Sequence, residues 1–157
     1  MNAATNDAPI GATIYEKRTV MDGTVEELRA FHEHPKAFHK LAMPPIIVQL
    51  HRDERTSLTE GEVEFTLWFG PIPVRFLARH EPGPTPDSFA DRLLKGPVAY
   101  WRHEHIFEEA DSGVALIDRL TIGHKPGLPG LLTRLMFDGI NLRILFFYRH
   151  LRTRMEV

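Results

Sequence analysis

The sequence predicts an α+β fold in which a curved antiparallel sheet wraps around a long C-terminal helix. Residues 46–124 alternate with period two between short Gly/Pro breaks, and the chain after Pro126 and Pro129 turns to a helical period. Two short helical patterns follow the first strand. Short hairpin links exclude parallel neighbours, which need long crossovers.

The elements follow in order. Residues 1–11 are small and polar without periodicity and read as a flexible N-terminal arm, leaving 12–157 as one domain. Ala12 to Met21 mixes β-branched and charged residues as a first strand, closed by Asp22-Gly23. Thr24 stands three residues before Glu27, a capping-box spacing, and Val25, Leu28 and Phe31 share one helix face. Pro35 suits the first turn of a second helix, with Phe38 and Leu41 spaced behind it and Pro44-Pro45 as the stop. Breaks at 56–61, 70–73, 82–86, 96–97 and 111–113 then divide the rest of the period-two region into six strands, seven in all. The last helix is expected from about Gly130 to Arg152.

A chain of 157 residues is the size of one domain and buries enough surface for a core without staples. It contains no Cys, which removes disulfides, a thiolate nucleophile and a cysteine zinc site and suits a reducing cytosol. Nineteen Lys and Arg against 21 Asp and Glu give a net charge of −2, with no general drive toward nucleic acid. No stretch is long and apolar enough to span a membrane, and the first residues lack a leader pattern. These features predict a cytoplasmic protein with no integral membrane association. A phosphate-cradling Gly-rich loop and a Gly-x-Ser-x-Gly elbow are both missing.

Strand registers place the chemistry. A four-residue loop at 70–73 would pair Phe69 with Val74, Leu67 with Phe76, Phe65 with Ala78 and Val63 with His80 on an apolar face. The other face would carry Glu64 against Arg79 and Trp68 against Arg75. A turn at Asp111-Ser112 pairs Phe107 with Leu116, His105 with Asp118, His103 with Leu120 and Trp101 with Ile122. Phe89, Asp91 and Leu93 face the same side, with Asp91 near Ala78 and His103. The result is a bowl of apolar side chains holding His80, Asp91, His103, His105 and Asp118. On a single helical wheel Leu132, Leu135, Met136, Gly139, Leu142, Phe146 and Phe147 line up to cover it, while Arg149 and Arg152 fall on the opposite side. Arg143 lands inside that stripe, where an unpaired guanidinium is costly, so it is expected to meet Asp118, Asp91 or an anion.

FHEHPKAFHKLAMPP from Phe31, GEVEFTLWFGPIPVRFLARHEPG from Gly61, FADRLLKGPVAYWRHEHIF from Phe89 and LIDRLTIGHKPGLPG from Leu116 resemble the START-related SRPBCC superfamily, in its bacterial ligand-binding branch. The superfamily includes the birch pollen allergen, lipid-transfer START domains and aromatic polyketide cyclases, and the resemblance spans residues 12–154. It implies the helix-grip fold with a cavity between sheet and last helix, and a range of functions among which fold does not choose.

Three functions follow. The first is binding of a small hydrophobic, lipid-like or aromatic ligand by Phe65, Leu67, Phe76, His80, Asp91, Trp101, His103, His105, Asp118, Leu120, Met136, Arg143 and Phe147, with the Arg/His/Asp cluster orienting its polar end. The second is a polyketide cyclase or dehydratase with His103, His105 and Asp118 as catalytic candidates. The third is a protein-interaction module, which a large exposed apolar patch would favour. His103-x-His105 has a zinc-compatible spacing, but a hydrogen-bonded structural pair accounts for it better, and no metal or cofactor is assigned. The expected partner is a small hydrophobic or amphipathic ligand, and a homodimer stays open.

Overall fold

The computed structural model describes residues 7–157; the part of the expected arm before Asp7 lies outside the described residues. The chain runs β1 (Thr13–Met21), α1 (Val25–Glu33), α2 (Ala37–Leu41), β2 (Ile47–Asp53), β3 (Gly61–Phe69), β4 (Ile72–Pro82), β5 (Ser88–Lys95), β6 (Tyr100–Ala110), β7 (Gly113–Gly123), α3 (Gly127–Phe137) and α4 (Gly139–Glu156). The strands form one antiparallel sheet in the order β1-β7-β6-β5-β4-β3-β2. The expected seven-stranded α+β architecture is therefore present. Helix α1 carries both halves of its capping box: the Thr24 hydroxyl accepts from the Glu27 amide and the Glu27 carboxylate from the Thr24 amide.

The β6–β7 register is the one the sequence predicts, including Trp101 opposite Ile122 and His105 opposite Asp118. The β3–β4 register differs by two residues. A two-residue turn at Gly70-Pro71 replaces the expected longer loop, with Gly70 at φ +61°, and Phe65 now pairs with Phe76 and Val63 with Ala78. Because the pleat repeats every two residues, the slip leaves each side chain on its predicted face. On the outer face Glu64 pairs diagonally with Arg75, not with Arg79, and the Trp68 indole donates to Gln49 Oε1 at 3.0 Å. The β4–β5 register is a separate correction: it places Asp91 opposite His80 rather than Ala78, with His103 on its other side.

The C-terminal helix is interrupted. Asp138 is extended (φ −139°, ψ 162°), its side chain accepts from the Gly139 amide, and Gly139 adopts φ +56° as the first residue of α4. This break resets the wheel, so α4 faces the sheet with Leu142, Phe146, His150 and Thr153 buried. Arg143 and Phe147 turn outward instead. Phe146 stacks on Tyr15 of β1 at 5.2 Å and meets the His103 ring edge-on at 5.2 Å. One end of the sheet is filled by Met21, Leu28, Phe89, Phe107, Val114 and Leu116.

Gly130 holds the entry to α3 against the preceding loop: a Cβ there would lie 1.6 Å from the Lys125 carbonyl oxygen. Gly130→Ala should therefore cost about 1–3 kcal/mol as the backbone moves away. A thermal melt should show Tm lowered by several degrees, and an unchanged Tm would contradict the packing described.

Candidate functional site

Between the sheet and α2, α3 and α4 lies a cavity of about 520 Å³. Its apolar wall includes Phe38, Val63, Phe65, Leu67, Phe76, Ala78, Leu93 and Trp101, with Leu135, Met136 and Phe137 of α3 over it. Phe65 and Phe76 stack at 5.1 Å, and Phe38 meets Phe65 edge-on at 4.5 Å. Its polar groups are His32, Arg55, His80, Asp91, His103, His105, Asn141 and Arg149.

Alternation along β6 puts His103 and His105 on the concave face, and the neighbouring strands bring a carboxylate to each side of them. Asp91 Oδ1 lies 2.6 Å from His80 Nε2, and its Oδ2 lies 2.9 Å from His105 Nε2. Asp118 Oδ1 takes His103 Nε2 at 2.8 Å and approaches His105 Nδ1 at 3.0 Å, although that ring N–H is poorly aimed. Asp118 Oδ2 takes His150 Nε2 at 2.8 Å, and His150 Nδ1 and the Thr19 hydroxyl share a hydrogen bond at 2.6 Å. Phe89 stacks on His105 at 4.3 Å. His80 Nδ1 donates to the Leu58 carbonyl at 2.9 Å, which can only accept.

Burial and charge set the protonation. Burial works against the Asp118 carboxylate, but the charge and hydrogen bond of His103, then the close approach of His105 and the bond from His150, hold it well below the usual range. Asp91 is likewise held well below, with burial opposed by the His80 charge and the bonds from His105 and His80. Burial disfavours imidazolium at His105, yet Asp118 and Asp91 outweigh it and raise the pKa. Burial, reinforced by the His105 charge, pushes His103 down to about 4 and His32 down to about 3.

The cavity gathers nine of the residues expected at the site: Phe65, Leu67, Phe76, His80, Asp91, Trp101, His103, His105 and Met136. Asp118 and Leu120 are buried behind its wall, 2% and 0% exposed. Arg143 and Phe147 do not reach it, because the break at Asp138-Gly139 rotates them outward. His150, Arg149 and His32 were missed. Their signal was present as the series Leu142, Leu145, Phe146, Arg149, His150, Thr153, legible only once the helix is started at Gly139.

Asp91, His103 and His105 place donor atoms within 4.8 Å of one another, a set suited to a divalent cation. Two of those donors already serve carboxylates, His103 Nε2 at Asp118 and His105 Nε2 at Asp91. Because their partners are acceptors, His103 and His32 each keep the proton on the bonded nitrogen, His32 Nδ1 donating to the Leu28 carbonyl at 2.8 Å. His103 Nδ1 and His32 Nε2 are then lone-pair acceptors without a protein partner among the described residues, and neither is sealed from the cavity.

The protonation pattern gives a pH dependence with a definite sign. His32 and His103 have folded values below that of a free imidazole, so between about pH 4 and 6.5 the unfolded chain binds protons that the folded chain refuses, and stability falls as pH falls. His105, raised, contributes fully below its unfolded value and loses that contribution only as pH rises through its folded one, so it adds no slope there. Asp91 and Asp118, depressed, keep their contribution above the unfolded carboxylate range and lose it only at lower pH. Urea unfolding should show stability falling between about pH 6 and 4.5 by roughly 1 kcal/mol or more per pH unit, and His32→Phe should make that fall shallower. A flat profile would overturn the assignment.

No family model and no curated protein matches the chain. Solved structures do. A START superfamily protein from Mycobacterium smegmatis superposes with a TM-score of 0.68 at 13% identity, over 94% of this chain and 100% of that one. The Zhui aromatase/cyclase from Streptomyces sp. R1128 gives 0.65 at 12% identity, over 92% and 90%. A nucleoside-diphosphate sugar epimerase from Corynebacterium glutamicum gives 0.66 at 23% identity over 90% of this chain, which spans only 28% of the epimerase chain. Among the described residues no helix is long and apolar enough to cross a membrane. By architecture, strand order and these superpositions, the chain has the START-related helix-grip fold.

Proposed function

We propose that residues 12–157 act as a cytoplasmic ligand-binding domain that takes a small hydrophobic, lipid-like or aromatic molecule into the cavity, its polar end toward the histidines. The cavity carries this reading. Its volume lies within the range of small-molecule sites, and its wall is mostly aromatic and aliphatic with a few convergent polar groups at one end. Burial of apolar ligand surface there contributes about 25 cal/mol per Å². An apolar fluorescent reporter should bind the purified chain and be displaced by medium-chain or aromatic compounds. Ala78→Phe, which adds a ring on the cavity wall, should weaken that binding by about tenfold or more, equivalent to about 1.4 kcal/mol. Failure of every apolar probe to bind the folded protein would overturn the proposal.

A second reading rests on the outer face of α3 and α4. Leu131, Ile140, Phe147, Leu151 and Met155 are exposed there, Phe147 by 60% and Ile140 by 70%. Scattered apolar residues need no explanation, but a continuous stripe at helical spacing fits a protein contact, and a homodimer is the simplest one. Sedimentation velocity over a concentration series should show self-association that Phe147→Glu abolishes. A monomer throughout would remove this reading and leave the cavity untouched.

A further inference from the structure

The cavity contains a cation with no partner among the described residues. Arg149 follows Phe146 on the inner face of α4 and lines the cavity beside the histidines. Its Nε is shielded from solvent without an acceptor, and among the described residues no carboxylate lies within ion-pair distance of its guanidinium. Arg55, the other guanidinium at the cavity, is by contrast held by Asp53 at 2.7 and 2.6 Å. The two carboxylates of the cluster are already committed, Asp91 to His80 and His105, Asp118 to His103 and His150. The charge of Arg149 also reaches His32 and His103, where it opposes a second positive charge.

A guanidinium beside apolar walls carries a desolvation cost that an anion offsets best, and its planar fork matches the two oxygens of a carboxylate. One guanidinium balances one negative charge, whereas a dianionic phosphate would leave an excess inside the cavity. Near the same end, His103 Nδ1 and His32 Nε2 offer lone pairs that require a donor. Resting on the binding reading above, we infer that the ligand is an amphipathic hydroxy acid: its carboxylate pairs with Arg149, a nearby hydroxyl donates to one of the two imidazole lone pairs, and its hydrocarbon part fills the space around Phe65, Phe76 and Trp101.

Isothermal titration of the whole chain near neutral pH with decanoic acid, 3-hydroxydecanoic acid, decanol and methyl decanoate tests this. The acid should bind at least about tenfold more tightly than the alcohol and the ester, and the hydroxy acid more tightly again. Arg149→Gln should erase the acid's advantage, and Arg149→Lys should keep part of it, which separates loss of charge from loss of folding. Equal affinity for acid and ester, or a full acid preference in a folded Arg149→Gln protein, overturns the inference while the cavity reading stands. A hydroxy acid no better than the plain acid overturns the hydroxyl assignment. Binding of none of the four by folded protein overturns the cavity reading as well.

Discussion

The Asp118 carboxylate is the constraint around which this structure is organised. It is buried on β7 and accepts from His103 on β6 and His150 on α4, while His105 approaches it from the same strand as His103. Helix and sheet are thereby joined through one charge that is almost wholly buried. Removing one member of a buried charged network leaves the others unpaired and costs about 3–5 kcal/mol. The joint fixes the depth at which α4 sits: with His150 on Asp118, Phe146 must lie on Tyr15 and His103, and Arg149 must face the cavity.

That joint also separates a packed end from a hollow end. On one side Phe89, Phe107, Leu116 and Leu28 fill the space between α1 and the sheet, and the His105 ring stacks directly on Phe89. Toward β3 and β4 the sheet curves away from the helices, and Phe65, Phe76 and Leu67 meet open volume rather than the axis of α4. Helix α3 spans that opening with Met136 and Phe137 turned inward. A chain that leaves large aromatic side chains facing a void forgoes packing energy that a bound molecule would restore.

The histidines divide by their partners rather than by their spacing. His105 sits between two carboxylates and is raised; His103, one pleat along the same strand, has one carboxylate and the His105 charge beside it and is lowered. Identical residues two positions apart therefore hold opposite protonation tendencies, because a neighbouring charge acts over a few ångströms while burial is common to both. His103 Nδ1 and His32 Nε2 are cavity-side nitrogens without protein partners among the described residues, whereas His105 Nδ1, also without a hydrogen-bond partner, is sealed from solvent.

Where the argument was local, the sequence was sufficient. Alternating polarity and a tight Asp111-Ser112 turn determined the β6–β7 pairing residue by residue, and the face of every β3 and β4 side chain survived an error of two in register, because the pleat has that period. The resemblance and the pattern together determined the fold. Tertiary structure decided what depends on phase carried across a discontinuity: one extended residue at Asp138 and one left-handed glycine exchanged Arg143 for Arg149 as the cavity cation and brought His150 onto Asp118. Both faces of α4 carry apolar residues, so periodicity alone could not orient it. Only the match of a buried carboxylate to the histidine able to reach it selects the observed rotation.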